Sequence, residues 1–162
     1  MRSYFLSPLI YAPMLVFGCL TAIESKSNQE MTFPADLVPL ANVLREVGYT
    51  VHFAKPPLAG AYGATDARKK KIWLAPISVH MGIGRQVLIH EAVHAAQACP
   101  NGTYEPIGWK VSLPKSVEVK IKGILYKKYR RKNFDVEKEA FYMQSHPQAF
   151  KEISNALRQR CQ

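Results

Sequence analysis

The amino-acid sequence predicts a single α+β domain that is mostly helical and contains a small β-sheet. Its 162 residues fall within the roughly 100–200 residues usual for one domain, and a chain of this length can bury a hydrophobic core. Several segments repeat apolar residues at helical spacing, whereas only two short segments are rich in β-branched and aromatic residues. Most of the chain is therefore expected in helices.

The first half of the domain supplies one predicted helix and both predicted strands. Pro34 suits a helix start and Gly48 suits its end. The residues between them present one apolar face, which consists of Leu37, Leu40, Ala41, Leu44 and Val47. Tyr49–Ala54 and Lys71–Ala75 have strand composition and are predicted to share the sheet. The glycine-rich stretch Gly60–Asp66 between them is predicted to be a loop.

The second half supplies four predicted helices. Ile83–Ala98 is the clearest, because it is broadly apolar and is followed by proline and glycine. Residues 103–115 are predicted to be a loop. The next helix follows Ser116 as its N-cap and continues to about residue 129, and another begins at Asp135 as its N-cap and ends near residue 145. The last predicted helix is Gln148–Arg160.

Residues 1–25 are predicted to be a signal peptide, a lipoprotein signal or a membrane anchor. Arg2 precedes an uncharged stretch, Ser3–Ile23, which is typical of a secretory signal and also long enough to span a bilayer. Cys19 ends a tetrapeptide, VFGC, that resembles a lipoprotein cleavage box. A buried N-terminal helix is the alternative. Residues 26–33 are then a linker and residues 34–162 the folded domain, located outside the cytoplasm as a secreted, periplasmic or membrane-anchored protein.

The cysteine count fits export, and the charge favours anionic partners. If Cys19 is removed or lipidated, Cys99 and Cys161 can pair in an oxidising compartment, with two free thiols as the alternative. The formal net charge is +10, and Lys110–Lys132 contains nine basic residues and one acidic residue, Glu118. This segment is interpreted either as a docking site for an anionic membrane or cell-wall surface or as a solvated helix face. Nucleic acid is disfavoured as a partner because an extracytoplasmic protein would rarely meet it.

Residues 87–96 read VLIHEAVHAA and contain an H-E-x-x-H motif on a predicted helix. Residues four apart lie on the same helix face, so His90 and His94 can direct two imidazoles at one Zn²⁺ ion. Glu91 can face the water of that site and act as its general base. Glu91 is the only charged residue in this apolar segment, which argues against a solvent-facing helix with incidental histidines.

This segment resembles the active-site helix of zincin zinc metallopeptidases, with Val87 at the position that the extended pattern prefers. The resemblance implies a minimal zincin-like domain that binds Zn²⁺ and hydrolyses bonds in a peptide or protein substrate. It also implies that the strand Lys71–Ala75 is an edge strand that holds the substrate backbone. A non-catalytic zincin-fold protein for binding or regulation, or a basic membrane-associated adaptor with an accidental motif, is the alternative function.

A catalytic zinc site needs a third protein ligand and an open position. In the gluzincin branch a later helix supplies a Glu three residues before a small residue, and Glu137 stands in that position before Ala140. Glu139 is the alternative ligand. Phe141 replaces the Asp that often follows in those families, so a hydrogen bond to a ligand is lost there.

Several other polar residues have weaker claims on the site. His52 and His80 are interpreted as structural or surface histidines. Four residues could stabilise the oxyanion of a tetrahedral intermediate. They are His146, Tyr104, Tyr126 and Tyr142.

Overall fold

In a computed structural model of the protein, residues 32–110, 112–128 and 134–162 are described, and they form an α+β fold. This part of the chain contains six α-helices and one three-stranded sheet, so the predicted fold class is confirmed, whereas the structure adds one helix and one strand to the five helices and two strands predicted. A short 3₁₀ turn, Ala35–Leu37, precedes the first helix. The elements in chain order are α1 (Val38–Glu46), β1 (Thr50–Phe53), β2 (Gly63–Asp66), β3 (Lys71–Leu74), α2 (Pro76–His80), α3 (Gly84–Gln97), α4 (Lys115–Lys128), α5 (Phe134–Met143) and α6 (Ala149–Arg160).

The sheet has the strand order β1-β3-β2, with β1 parallel and β2 antiparallel to β3. Two predictions are therefore wrong. Gly60–Asp66 is not entirely loop, because β2 lies within it, and Lys71–Ala75 is not an edge strand, because β3 is central. The sequence of β2, GATD, has low strand propensity, so its conformation depends on its ladder of hydrogen bonds to β3.

Helix α3 lies at the centre of the hydrophobic core and packs against α5, α6 and β2. Nearly all of its residues from Leu88 onward are buried, including the four polar ones. Small alanines on α3, such as Ala92 and Ala95, are fully buried and allow neighbouring elements to approach closely. The motif that the sequence places on a helix is thus held rigidly by packing on several sides.

Two predicted helix caps are wrong. Ser116 lies inside α4, which begins at Lys115, and the carbonyl of Pro114 accepts hydrogen bonds from the N–H groups of Val117 and Glu118. Asp135 lies in the first turn of α5 rather than before it. The five-residue helix α2 was also not predicted, because so short a segment shows no helical period.

A disulfide joins Cys99, just after α3, to Cys161, just after α6. The predicted signal or anchor of residues 1–25 and most of the linker lie outside the described residues. Across residues 32–110, 112–128 and 134–162, the helices are too short or too polar to cross a bilayer.

Candidate metal centre

The two motif histidines converge on one point, as their spacing on α3 predicts. The Nε2 atoms of His90 and His94 are 3.0 Å apart, and each residue is only 8% exposed. Two ligands about 2.0–2.1 Å from one tetrahedral zinc ion would lie about 3.3 Å from each other. The pair is therefore spaced as two ligands of one ion.

Glu137 of α5 completes a triad with these histidines. Its Oε2 atom lies 3.3 Å from Nε2 of His90 and 3.5 Å from Nε2 of His94, and the three ligand atoms all lie within 4.8 Å of one another. Of the two glutamates that the sequence leaves open, Glu137 is the one that the structure places beside the histidines.

The electrostatics of the triad suit a bound cation. Glu137 Oε2 is buried and accepts no hydrogen bond, a costly state for a carboxylate oxygen that a metal ion would relieve. Burial raises the pKa of Glu137, but its contacts with His90 and His94 outweigh burial and lower the pKa to about 2. Burial lowers the pKa of His94, yet the carboxylates of Glu137 and Glu91 raise it overall. Two imidazoles and one carboxylate form a donor set typical of catalytic zinc sites.

The side chain of Glu91 extends from α3 toward the edge strand β2. The Thr65 hydroxyl lies 2.8 Å from Glu91 Oε2 and 3.0 Å from the Glu91 carbonyl oxygen, and it can donate to either. A Cβ atom built on Gly63 would lie 2.7 Å from Glu91 Oε1, so the glycine leaves space for the carboxylate. Nothing in the sequence identifies Thr65 as a partner of Glu91, because Thr65 lies in the stretch predicted to be a loop.

The triad and Glu91 line a cleft of about 530 Å³. One wall is the outer edge of β2. In an antiparallel pair, alternate residues direct their backbone N–H and C=O groups toward the partner strand and away from it. The Tyr62 carbonyl accepts a hydrogen bond from the Ala75 N–H, so the backbone groups of Gly63 and Thr65 point away from β3, toward the outer edge. The other walls are largely apolar, and they include Val87, Val136 and Phe141.

Tyr104 is the one candidate oxyanion stabiliser among the residues that line the cleft. Its ring meets that of His94 edge-on at 5.8 Å between centroids, and its hydroxyl donates to the Thr65 carbonyl at 3.1 Å. Burial raises the pKa of Tyr104, so the hydroxyl keeps its proton at neutral pH. The hydroxyl is therefore a neutral group at the cleft wall whose proton is engaged by the Thr65 carbonyl.

Each histidine also contacts a glutamine through its second ring nitrogen. Nδ1 of His94 lies 2.8 Å from Gln97 Oε1, and Nδ1 of His90 lies 3.1 Å from Gln144 Nε2. Sequence reasoning missed the role of Gln97, although its position three residues after His94 on the same helix was an available signal. Gln144 follows α5, seven residues after Glu137.

The remaining candidates take other places. The carboxylate of Glu139 accepts hydrogen bonds from the Gln97 side chain and from backbone N–H groups of residues 107–109. His52 stacks on Trp73 in the sheet. His146, Tyr126, Tyr142 and His80 are not among the residues that line the cleft.

Comparison with known proteins adds no family assignment. No protein-family model, curated protein or solved structure matches this chain. The chemistry of the site is therefore inferred from the H-E-x-x-H motif and from the positions of the side chains around it.

Proposed function

We propose that this chain is a zincin-like, zinc-dependent metallopeptidase that hydrolyses peptide bonds outside the cytoplasm. One observation carries the proposal. Ligand atoms of His90, His94 and Glu137, from two separate helices, meet within 4.8 Å in an open cleft that also contains Glu91. A merely structural zinc site would be closed by four protein ligands, whereas this triad leaves a position that faces the cleft.

The residues of the cleft have distinct roles in this proposal. His90, His94 and Glu137 would hold Zn²⁺, which when bound would polarise the scissile carbonyl and acidify the attacking water. Glu91 accepts the proton of that water and later delivers it to the leaving amine. The Thr65 hydroxyl, 2.8 Å from Glu91 Oε2, fixes the carboxylate in place for both transfers.

The edge strand β2 would bind the substrate backbone. An extended peptide can add to the outward N–H and C=O groups of β2 as a further strand. This role moves from Lys71–Ala75, where the resemblance placed it, to Gly63–Asp66, because β2 is the strand that borders the cleft. In this structure the Tyr104 hydroxyl donates to the Thr65 carbonyl, and it would have to leave that carbonyl to donate to the oxyanion of the transition state.

The location outside the cytoplasm has two supports. Residues 1–25 have the composition of a secretory or lipoprotein signal. The Cys99–Cys161 disulfide is of a kind that persists in oxidising compartments and is rare in the cytosol.

Metal content and a single conservative variant test the function. We expect the purified protein to contain one zinc ion per chain, and His94→Ala to lose it. Glu91→Gln should retain the zinc but lose at least about 100-fold in the rate of casein cleavage, since general base catalysis contributes about 10²–10⁴-fold. Glu105→Gln, an exposed loop glutamate, is the matched control and should cleave at the parent rate.

The outcomes separate the competing functions. A protein without stoichiometric zinc would favour a basic adaptor with an accidental motif. Zinc without peptidase activity would favour a non-catalytic binding protein. If Glu91→Gln cleaves casein as fast as the parent, the assigned mechanism is wrong.

A further inference from the structure

A buried chain of hydrogen bonds lies behind His94 on the side away from the cleft. Nδ1 of His94 is 2.8 Å from Gln97 Oε1. The Gln97 amide nitrogen donates to Glu139 Oε2 at 2.8 Å and to the carbonyl of Val136 at 2.9 Å. Gln97 is fully buried and Glu139 is 7% exposed, so water competes little for these bonds.

The orientation of the Gln97 amide is determined by its partners. A carboxylate and a carbonyl oxygen can only accept hydrogen bonds, so the NH₂ group of Gln97 must face Glu139 and Val136. The amide oxygen must then face His94. Because that oxygen is only an acceptor, Nδ1 of His94 carries the proton, and the lone pair of the neutral ring lies on Nε2. Nε2 is the atom that faces Glu137 and His90.

Glu139 is held in turn by the loop that follows α3. Its Oε1 accepts from the N–H groups of Gly108, at 2.6 Å, and Trp109, at 2.9 Å, while Oε2 also accepts from Ile107 at 2.8 Å. Gly108 has a positive φ of 93°, a conformation that glycine adopts without strain. Three backbone N–H donors thus fix one buried carboxylate, which in turn orients Gln97.

We propose that Gln97 is a positioning residue that presets His94 in the tautomer required for metal binding, and that Glu139 acts through Gln97. The inference rests on the proposed zinc site but assigns residues that touch neither the metal nor the substrate. Groups that orient a ligand histidine in this way typically contribute 10–100-fold to metal affinity. In this proposal both glutamates that the sequence left open serve the site: Glu137 as a ligand and Glu139 as the group that orients Gln97.

Zinc affinity and the tautomer of His94 test the proposal without any assay of activity. Gln97→Met keeps the length of the side chain but removes the acceptor, so we expect zinc to bind about 10–100-fold more weakly. In the metal-free protein, at a pH where the ring is neutral, ¹⁵N NMR should show His94 protonated at Nδ1 in the parent and as a tautomer mixture in the variant. Gln148→Met, at an exposed position, is the matched control.

Glu139→Gln distinguishes the two roles open to Glu139. As the residue that orients Gln97, it should weaken zinc binding less than His94→Ala does. A loss as large as that of His94→Ala would make Glu139 a ligand and overturn the proposal. Unchanged zinc affinity and an unchanged His94 tautomer in Gln97→Met would also overturn it, while zinc binding by the parent would leave the metallopeptidase proposal standing.

A second, independent observation concerns the outer face of α4. Val119 and Tyr126, two helical turns apart, are 60% and 70% exposed. Gly123 lies between them, and a Cβ atom added there would meet nothing within 4 Å. The opposite face packs Ile121 and Leu125 into a small apolar cluster. Within the described residues, Val119 and Tyr126 therefore form a largely exposed apolar strip, although the Tyr126 ring meets that of Phe134 edge-on at 5.1 Å between centroids.

Lysines border this strip on both sides. At 100° per residue, Lys115 and Lys122 lie along one side, and Lys120 and Lys127 along the other; all four are exposed. The one acidic residue of α4, Glu118, is paired with Lys122 at 3.0 Å. An apolar strip between cationic rows is the pattern of a helix that lies in a membrane interface, where tyrosine is also favoured.

We infer that α4 docks the domain on an anionic lipid surface, with the strip in the interface and the lysines at the headgroups. Phosphate contacts with nucleic acid would use the lysines but would leave Val119 and Tyr126 exposed. Each lysine near such a surface contributes about five-fold to binding, and the apolar strip adds the burial of its side chains.

Vesicle sedimentation tests this surface. The parent should bind vesicles of phosphatidylcholine mixed with phosphatidylglycerol and bind pure phosphatidylcholine far more weakly. Gly123→Leu should tighten binding at least about five-fold, because it enlarges the strip. Replacing Lys115, Lys120 and Lys127 by Gln should weaken binding by about five-fold per lysine.

A matched control separates a docking face from general basicity. Lys55, Lys69 and Lys151, all exposed, are replaced by Gln with the same change in net charge, and this variant should bind close to the parent level. Equal losses in both triple variants would overturn the inference, as would an unchanged affinity in Gly123→Leu. Binding to RNA but not to the mixed vesicles would also overturn it.

Discussion

At the scale of single residues, Gly63 determines how closely β2 approaches α3. A Cβ atom at this position would lie 2.6 Å from Val87 Cγ1, and 2.7 and 2.8 Å from Oε1 and Cγ of Glu91. We therefore predict that Gly63→Ala displaces the Glu91 carboxylate. Peptidase activity should fall by about 10²-fold, the scale of effect expected for a misplacement of 1 Å. Overpacking should also lower the free energy of unfolding by about 1–3 kcal/mol, which thermal denaturation measures.

Gly123→Ala provides the control for this prediction. Gly123 lies in α4, where an added Cβ atom meets nothing within 4 Å. Alanine should therefore leave activity unchanged and stabilise the helix by up to about 1 kcal/mol. If Gly63→Ala matches the parent in both activity and thermal stability, the close approach of β2 to Glu91 has no functional importance.

At the scale of elements, the sequence was sufficient where one element carries the whole signal. The helical period of apolar residues predicted α1, α3 and α6. His90 and His94 are four residues apart on α3, so helix geometry alone brings their side chains together. Strand propensity did not predict β2, because its residues suit their contacts with α3 rather than a strand conformation. Gly63 makes room for α3, and Thr65 binds Glu91. Neither requirement leaves a strand-like composition.

The third ligand shows the limit of one-element reasoning. The resemblance puts Glu137 forward through its position three residues before Ala140, but Glu139 stays open as an alternative, because its environment depends on a distant part of the chain. The loop of residues 107–109 covers Glu139, and no spacing within α5 reports that contact. Gln97, by contrast, stands three residues after His94, so a search for polar residues at that spacing would have found it.

At the scale of the whole molecule, one covalent bond ties the candidate metal site to the end of the chain. Cys99 follows the last residues of α3, and Cys161 follows α6. The 62-residue separation encloses α5, which supplies Glu137. Arg160 reinforces the same junction, since its guanidinium donates to the carbonyl of Ala96 at 3.0 Å. The disulfide therefore limits how far the C-terminal ends of α3 and α6 can separate.

We predict that breaking this bond destabilises the protein markedly without removing its ability to bind zinc. In the chain-entropy model, a cross-link across 62 residues stabilises the folded state by about 4 kcal/mol, and natural disulfides typically contribute about 2–4 kcal/mol. Cys99→Ser combined with Cys161→Ser, or addition of a reducing agent to the parent, should thus lower Tm by about 10 °C. Cys19→Ser is the matched control and should leave Tm unchanged.

Two observations together would show that the bond does not form. The reducing agent would leave the Tm of the parent unchanged, and Cys99 and Cys161 would titrate as free thiols before reduction. Because zinc would bind only the folded state, we expect saturating zinc to raise Tm in both the double variant and the parent. That result would show that the proposed ligand triad depends on the fold of α3 and α5 and not on the cross-link itself.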